Sequence, residues 1–267
     1  MSELSGSLTL EQGRDVLVRA VREATEDVAA GLHGVKLGNL DLQTGPEQVG
    51  LRFGTPPPHP QAVRARILAA GLRSCADGLG LAMTWAYREA ALWTLPGRVA
   101  RKADGILNFQ GEVGGEQWNE VIVNGGLKFD RLTLPDKLEK LAALGLPELP
   151  FAGDIRSLNA ARNCLVHRGG IVGPADLRDG RLVVSWRRIR LIAHGDDGER
   201  TIGIASRVEK GERVGVELEP VEQTYSLGDT VAITQEDFAD MAQTYVWFAQ
   251  QLGDAIQVMQ RDRFDHQ

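Results

Sequence analysis

Residues 159–170 read NAARNCLVHRGG, which places two asparagines, two arginines and a histidine within one short segment and two glycines directly behind it. A guanidinium is permanently charged and matches phosphate oxygens as a two-pronged fork. An imidazole exchanges protons near neutral pH, and a neighbouring amide can orient either the ring or a phosphate. Arg162, Asn163 and His167 therefore suffice for cleavage of RNA without a metal. A ribose 2′-hydroxyl would attack the adjacent phosphate, His167 would act as acid or base, and Arg162 would steady the crowded anion. The other meaning of the same residues is structural, with Arg162 paired to a buried carboxylate and His167 closing the last carbonyls of its helix.

These side chains must be held by a helix. Wound at about 100° per residue, Ile155, Leu158, Leu165 and Val166 form one apolar arc, and Arg162 falls inside it. Asn159, Asn163 and His167 follow at intervals of four and form a polar ridge along the edge of that arc. The spacing predicts a helix from Asp154, as N-cap, to His167, with Gly169 as its C-terminal stop.

The segment RNCLVH also resembles the signature of the HEPN superfamily, the small all-helical dimers found among prokaryotic toxins, abortive-infection proteins and eukaryotic ribonucleases. Arg162, the favoured Asn163 directly after it, and His167 stand in the order of that motif. The motif covers six residues, and a looser likeness in element order extends over about 60–260. The resemblance implies a homodimer in which two motif helices pack together, their arginines and histidines lining one composite cleft for RNA, in stress response or defence against phage. It also raises a cognate antitoxin or regulatory protein as a partner. One departure matters: the subclass regulated by nucleotidyl transfer carries a tyrosine two residues after its histidine, and here that position is Gly169.

The rest of the chain predicts a mainly α fold, a HEPN-like helical bundle with a small antiparallel β insertion before the last helix. Two regions are expected: residues 1–60, an N-terminal helix and a Pro/Gly-rich loop packing on the core, and residues 61–267, the helical domain with its β insertion at about 181–234. Leu10, Val16, Leu17, Ala20, Val21, Ala24 and Val28 recur at helical spacing within 9–33. A short strand is expected at VGLRF. Residues 61–95 are apolar on much of their circumference and belong at the centre of a bundle, while Gly71, Gly78 and Gly80 require close helix approach or a kink. Trp85, Tyr87 and Trp93 read as core aromatics. Two short helices, at GGEQWNEVIVNGG and at LPDKLEKLAALG, lead to the motif helix. Residues 181–234 alternate and predict three or four antiparallel strands with HGDDGER as a turn. Thr234 and Asp237 then open the last helix.

The strand region bears on substrate. Residues 151–200 hold nine arginines against six acidic residues, in a chain whose formal charge is −6. In SWRRIRL, Trp186, Arg188 and Arg190 share one strand face, so Arg187, Arg188 and Arg190 are candidates for RNA phosphates and Trp186 for base stacking. Arg168 and Asn159 join them as contacts from the motif helix. The alternative for this ribbon is a solvated outer face that protects its edge.

Composition narrows the remaining choices. The acidic balance argues against a protein basic all over that coats nucleic acid non-specifically. No apolar run is long enough to span a bilayer, and the N-terminus lacks a basic region followed by an apolar one, which predicts a cytoplasmic protein without membrane contact. Cys75 and Cys164 lack CxxC spacing and read as buried reduced thiols. His33, His59, His194 and His266 are scattered, so no metal or cofactor is expected. There is no phosphate-cradling glycine loop, and Ser157 and Ser185 lack a nucleophile-elbow context.

Overall fold

A computed structural model describes residues 10–36, 60–95, 98–101, 107–110, 115–195, 198–202 and 207–265. The chain is mostly helical, with a three-stranded antiparallel sheet placed before the final helix. Helix α1 (Leu10–Lys36) presents Leu17, Val21, Ala24, Val28 and Leu32 to the core, close to the stripe expected from their spacing. Helix α2 (Pro60–Leu92) runs unbroken through the whole alanine- and leucine-rich stretch. It touches α1 and four later helices, as a segment apolar on most sides must. The strand expected at VGLRF lies outside the described residues.

The glycines of α2 explain how it packs so closely. A Cβ on Gly71 would lie 2.5 Å from Val28 Cγ2 and 2.6 Å from Phe238 Cζ, and one on Gly78 would lie 3.0 Å from Ala20 Cβ. No kink is needed, because the glycines let α1 and the last helix approach the α2 backbone. Gly71→Ala is expected to destabilise the protein by about 1–3 kcal/mol through overpacking. A lower urea midpoint at unchanged slope would register it.

Between α2 and the motif helix lie a hairpin not expected from sequence, β1 (Arg98–Arg101) with β2 (Leu107–Gln110), and a set of short helices. The first expected short helix is a composite: α3 (Gly115–Trp118), a π-helical turn over Asn119–Asn124, and α4 (Gly125–Asp130). The second is α5 (Leu134–Ala143), whose N-cap Thr133 accepts a bond from the Asp136 amide and whose exit passes Gly145 at φ 95°.

Helix α6 (Ala152–Arg168) carries the motif. Its start differs from expectation. Phe151, not Asp154, is the N-cap, and Asp154 lies in the first turn with its carboxylate turned onto Arg187 at 2.7 Å. The end is as expected: Gly169 sits at φ 60° in the left-handed region, and the Gly170 amide donates back to the Cys164 carbonyl at 3.2 Å.

Strands β3 (Leu182–Gly195), β4 (Gly198–Ile202) and β5 (Arg213–Tyr225) form a sheet in the order β4-β3-β5. The number of strands is three, because the LGDTVAIT segment turns at Gly228 (φ 85°) and contributes one isolated bridge, Thr230 to Ile171. Strand β4 covers only the far end of β3, and two helices cover the rest of that edge. Ser157 Oγ of α6 accepts the Ser185 amide at 2.5 Å, and Thr244 Oγ1 of the last helix accepts the Arg187 amide at 3.0 Å. This satisfies backbone groups that would otherwise offer a pairing edge.

Helix α7 (Gln235–Asp265) opens with the capping box read from sequence: the Asp237 amide donates to Thr234 Oγ1 at 3.0 Å and the Thr234 amide to Asp237 Oδ2 at 3.1 Å. One apolar core runs from Leu17 of α1 to Met259 of α7, joining all the long helices and the near half of the sheet. Among the described residues, no helix is long and apolar enough to cross a membrane.

Candidate functional site

The motif helix divides into a buried face and an edge. Ile155, Leu158, Ala161, Cys164 and Leu165 are buried against the core, and burial pushes the Cys164 thiol up to about 11, so it stays protonated. Arg162 is half-buried beside this face. Its Nη1 donates to Asn163 Oδ1 at 3.0 Å, while its Nε is shut from solvent with no hydrogen-bond partner among the described residues. The Arg–Asn pair of the motif is thus a physical contact in which the amide oxygen steers the guanidinium. The buried carboxylate that the structural alternative requires for Arg162 does not appear among its hydrogen bonds or ion pairs within the described residues.

Arg162 lines a cleft of about 150 Å³ between α2, α5, α6 and α7, together with Asp77, Gly80, Lys137, Asn159 and Tyr245. Asn159 is one turn before Asn163 on the expected polar ridge. Lys137 and Tyr245 are not expected here from sequence. Lys137 is 7% exposed; its Nζ lies 3.7 Å from Asp130 Oδ1 and 5.6 Å from the centre of the Phe129 ring. The sequence does carry a signal for it, since Leu134, Lys137, Leu138 and Leu141 occupy one helical face and a lysine stands where an apolar residue would serve packing.

Tyr245 is fully buried, and its hydroxyl also lacks a partner among the described residues. Burial first, and then nearby Cys75, push its ionisation far above the usual phenol range against the opposing pull of Arg162, so it remains a neutral donor. An unsatisfied buried hydroxyl costs about 1–3 kcal/mol. Tyr245→Phe, which removes only that oxygen, is expected to raise stability by about 1 kcal/mol. Chemical denaturation of the ligand-free protein checks this, and a loss of stability would show that the hydroxyl is satisfied by water.

His167 is placed differently. It is exposed near the C-terminal end of α6 and is not among the residues lining the cleft. Five residues separate it from Arg162, which on a regular helix is about 7.5 Å along the axis and about 140° around it. Within one chain the two groups do not converge on a single point. A substrate would have to pass across the helix edge from one to the other, or a second copy of the chain would have to bring its own groups near.

The other expected RNA contacts are already engaged. Arg168 forms a two-pronged pair with Asp176, which also accepts the Gly173 amide at 2.9 Å. Burial works to raise the Asp176 carboxyl, but the Arg168 and Gly173 hydrogen bonds and the guanidinium charge overcome it and hold it below its ordinary value. Arg187 donates to Asp154 and stacks 5.0 Å above the Phe151 ring. Arg188 reaches Asp240 at 2.8 Å and Asp237 at 3.0 Å, and Arg190 donates to Thr201 at 2.7 Å.

Trp186 requires a correction. It does share a strand face with Arg188 and Arg190, but it is 0% exposed in the core and has no surface on which a base could stack. Alternation gives the faces of a strand without saying which one the helices cover. Arg187 and Arg188 bind the sheet to α6 and α7, so a phosphate would have to displace an internal carboxylate from either of them.

No protein-family model matches the chain, and searches of the curated proteins and of the solved structures give no match. Among the described residues, no three His, Cys, Asp or Glu side chains are grouped to hold a metal ion.

Proposed function

We propose that this protein is a metal-independent endoribonuclease of HEPN type that works as a homodimer. The observation that supports it is the state of Arg162: half-buried at a cleft, steered by Asn163, and with a guanidinium nitrogen unpartnered among the described residues, while Arg168, Arg187 and Arg188 are each held by carboxylates. A phosphodiester bound at Arg162 lies along α6 from His167, an exposed imidazole open to a substrate. In the proposed reaction the 2′-oxygen loses its proton to a base and forms a bond to phosphorus. The bond to the 5′-oxygen breaks, and that oxygen takes a proton from an acid. Two copies of the chain supply two His167 imidazoles, one for each role. Leu132 on the cleft wall and Leu81, next to the cleft residue Gly80, are 37% and 56% exposed and offer apolar surface for the second copy.

Single-stranded RNA incubated with the purified protein in EDTA is expected to be cut, with the activity lost in Arg162→Ala and in His167→Ala. One observation favours a second reading, a non-catalytic RNA- or nucleotide-binding module: His167 does not line the cleft that contains Arg162. Intact RNA across varied substrates, with RNA still bound, would decide for that module.

A further inference from the structure

We propose that the cleft between α2, α5, α6 and α7 is a binding site for a single phosphate group, held by Lys137, Arg162, Asn159 and Tyr245. Three of these carry N–H or O–H donors that the fold leaves incompletely used. The Tyr245 hydroxyl and Arg162 Nε are sealed and unpartnered among the described residues, and the Lys137 ammonium, in a side chain 9% exposed, has its nearest carboxylate at 3.7 Å. Buried donors without acceptors are costly, and the meeting of these three residues around one cleft points to an acceptor-rich ligand. Two cations with a neutral phenol and an amide fit an oxyanion. A tetrahedral phosphate offers enough oxygens to reach all four.

Charge and size agree with this ligand. Asp77 is the one carboxylate on the wall among the described residues; its side chain is 66% exposed and pairs with Arg73 at 3.7 Å, so it stands at the rim with its charge offset. A methyl group on Gly80 would lie 3.6 Å from Lys137 Nζ, so the ammonium stands close beside the α2 backbone. A cleft of about 150 Å³ has room for a group the size of one benzene ring, so a phosphate fits. The site shares Arg162 with the proposed cleavage centre and in that respect rests on that reading, but phosphate can also be held here in a chain that never cuts RNA.

The experiment is calorimetric titration of the full chain, in phosphate-free buffer, with inorganic phosphate, adenosine 5′-monophosphate and an RNA tetranucleotide lacking terminal phosphates. At least one probe is expected to bind, at least tenfold more weakly to Lys137→Met and Arg162→Lys and about tenfold more weakly to Tyr245→Phe. Lys140→Ala, which removes the same charge from an exposed position on α5, should bind as the parent does. Tyr245→Phe and Arg162→Lys keep the shape of the core, so folding does not obscure the result. Binding of inorganic phosphate or adenosine 5′-monophosphate without the tetranucleotide assigns the site to a free phosphate compound, and binding of the tetranucleotide assigns it to the RNA backbone. Absence of binding by all three probes up to roughly 10 mM, or affinities unchanged in Lys137→Met and Arg162→Lys, would overturn the proposal.

Discussion

His167→Ala is expected to slow RNA cleavage by about 10²–10⁴-fold, the range that a positioned acid or base contributes, while leaving the melting temperature nearly unchanged. The second half of this expectation comes from burial. His167 is exposed at the end of α6, and substitutions at such surface positions shift stability by less than about 0.5 kcal/mol. Gly169 and Gly170, not His167, terminate the helix, since the Gly170 amide returns to the Cys164 carbonyl and the left-handed Gly169 makes the turn. A catalytic role thus predicts loss of activity at constant stability. A capping or interface role predicts the reverse: a lower melting temperature or a broken dimer in His167→Ala, with no cleavage to lose. Paired measurement of rate and melting temperature separates them.

Asp176→Ala is expected to cost about 3 kcal/mol, the lower end for breaking a buried pair, because Arg168 is partly exposed and can recover some hydration. For a chain of this size that is a fall of roughly 6–12 °C in melting temperature. Asp176, with a side chain 2% exposed, accepts both prongs of Arg168 and the Gly173 amide, so it fastens the exit of α6 to the turn that follows. The variant leaves a guanidinium and an amide without acceptors. It also loosens the residue next to His167, so any cleavage activity should fall with stability. The pH dependence has a definite sign. A carboxyl whose folded ionisation lies below its unfolded value binds fewer protons when folded. Its stabilisation is complete above the unfolded value of about 4 and disappears as the pH drops through the folded value. Denaturant midpoints measured downward from pH 6 should fall more steeply in the parent protein than in Asp176→Ala.

The parts of the fold that are legible in the sequence are those governed by local physics. Helices α1, α2, α6 and α7 follow from apolar spacing, and the exit of α6 and the start of α7 follow from Gly169 and the Thr234–Asp237 box. The π turn over Asn119–Asn124 and the turn at Gly228 are not legible, since tertiary packing there overrides a helical or alternating pattern. Trp186 misleads for a related reason. Its strand face is legible, but its burial depends on the helices that cover the sheet. Arg162 stands out because a charge in an apolar arc needs an explanation, and Asn163 and the cleft provide one. Lys137 sends the same signal from α5, in a short helix that carries no motif to draw notice to it. Tyr245 sends none, because a tyrosine on an apolar helix face is ordinary until its hydroxyl is found without a partner.

The central claim, that Arg162 and His167 cut RNA by internal attack of the 2′-hydroxyl, is tested most directly by the chemistry of the ends. Fragments produced in EDTA by the parent protein and by His167→Ala, prepared side by side, would be resolved by mass. The parent should yield 2′,3′-cyclic phosphate ends facing 5′-hydroxyl ends, and the variant should leave the RNA intact. Intact RNA from the parent protein, or the same fragments from both preparations, would contradict the claim.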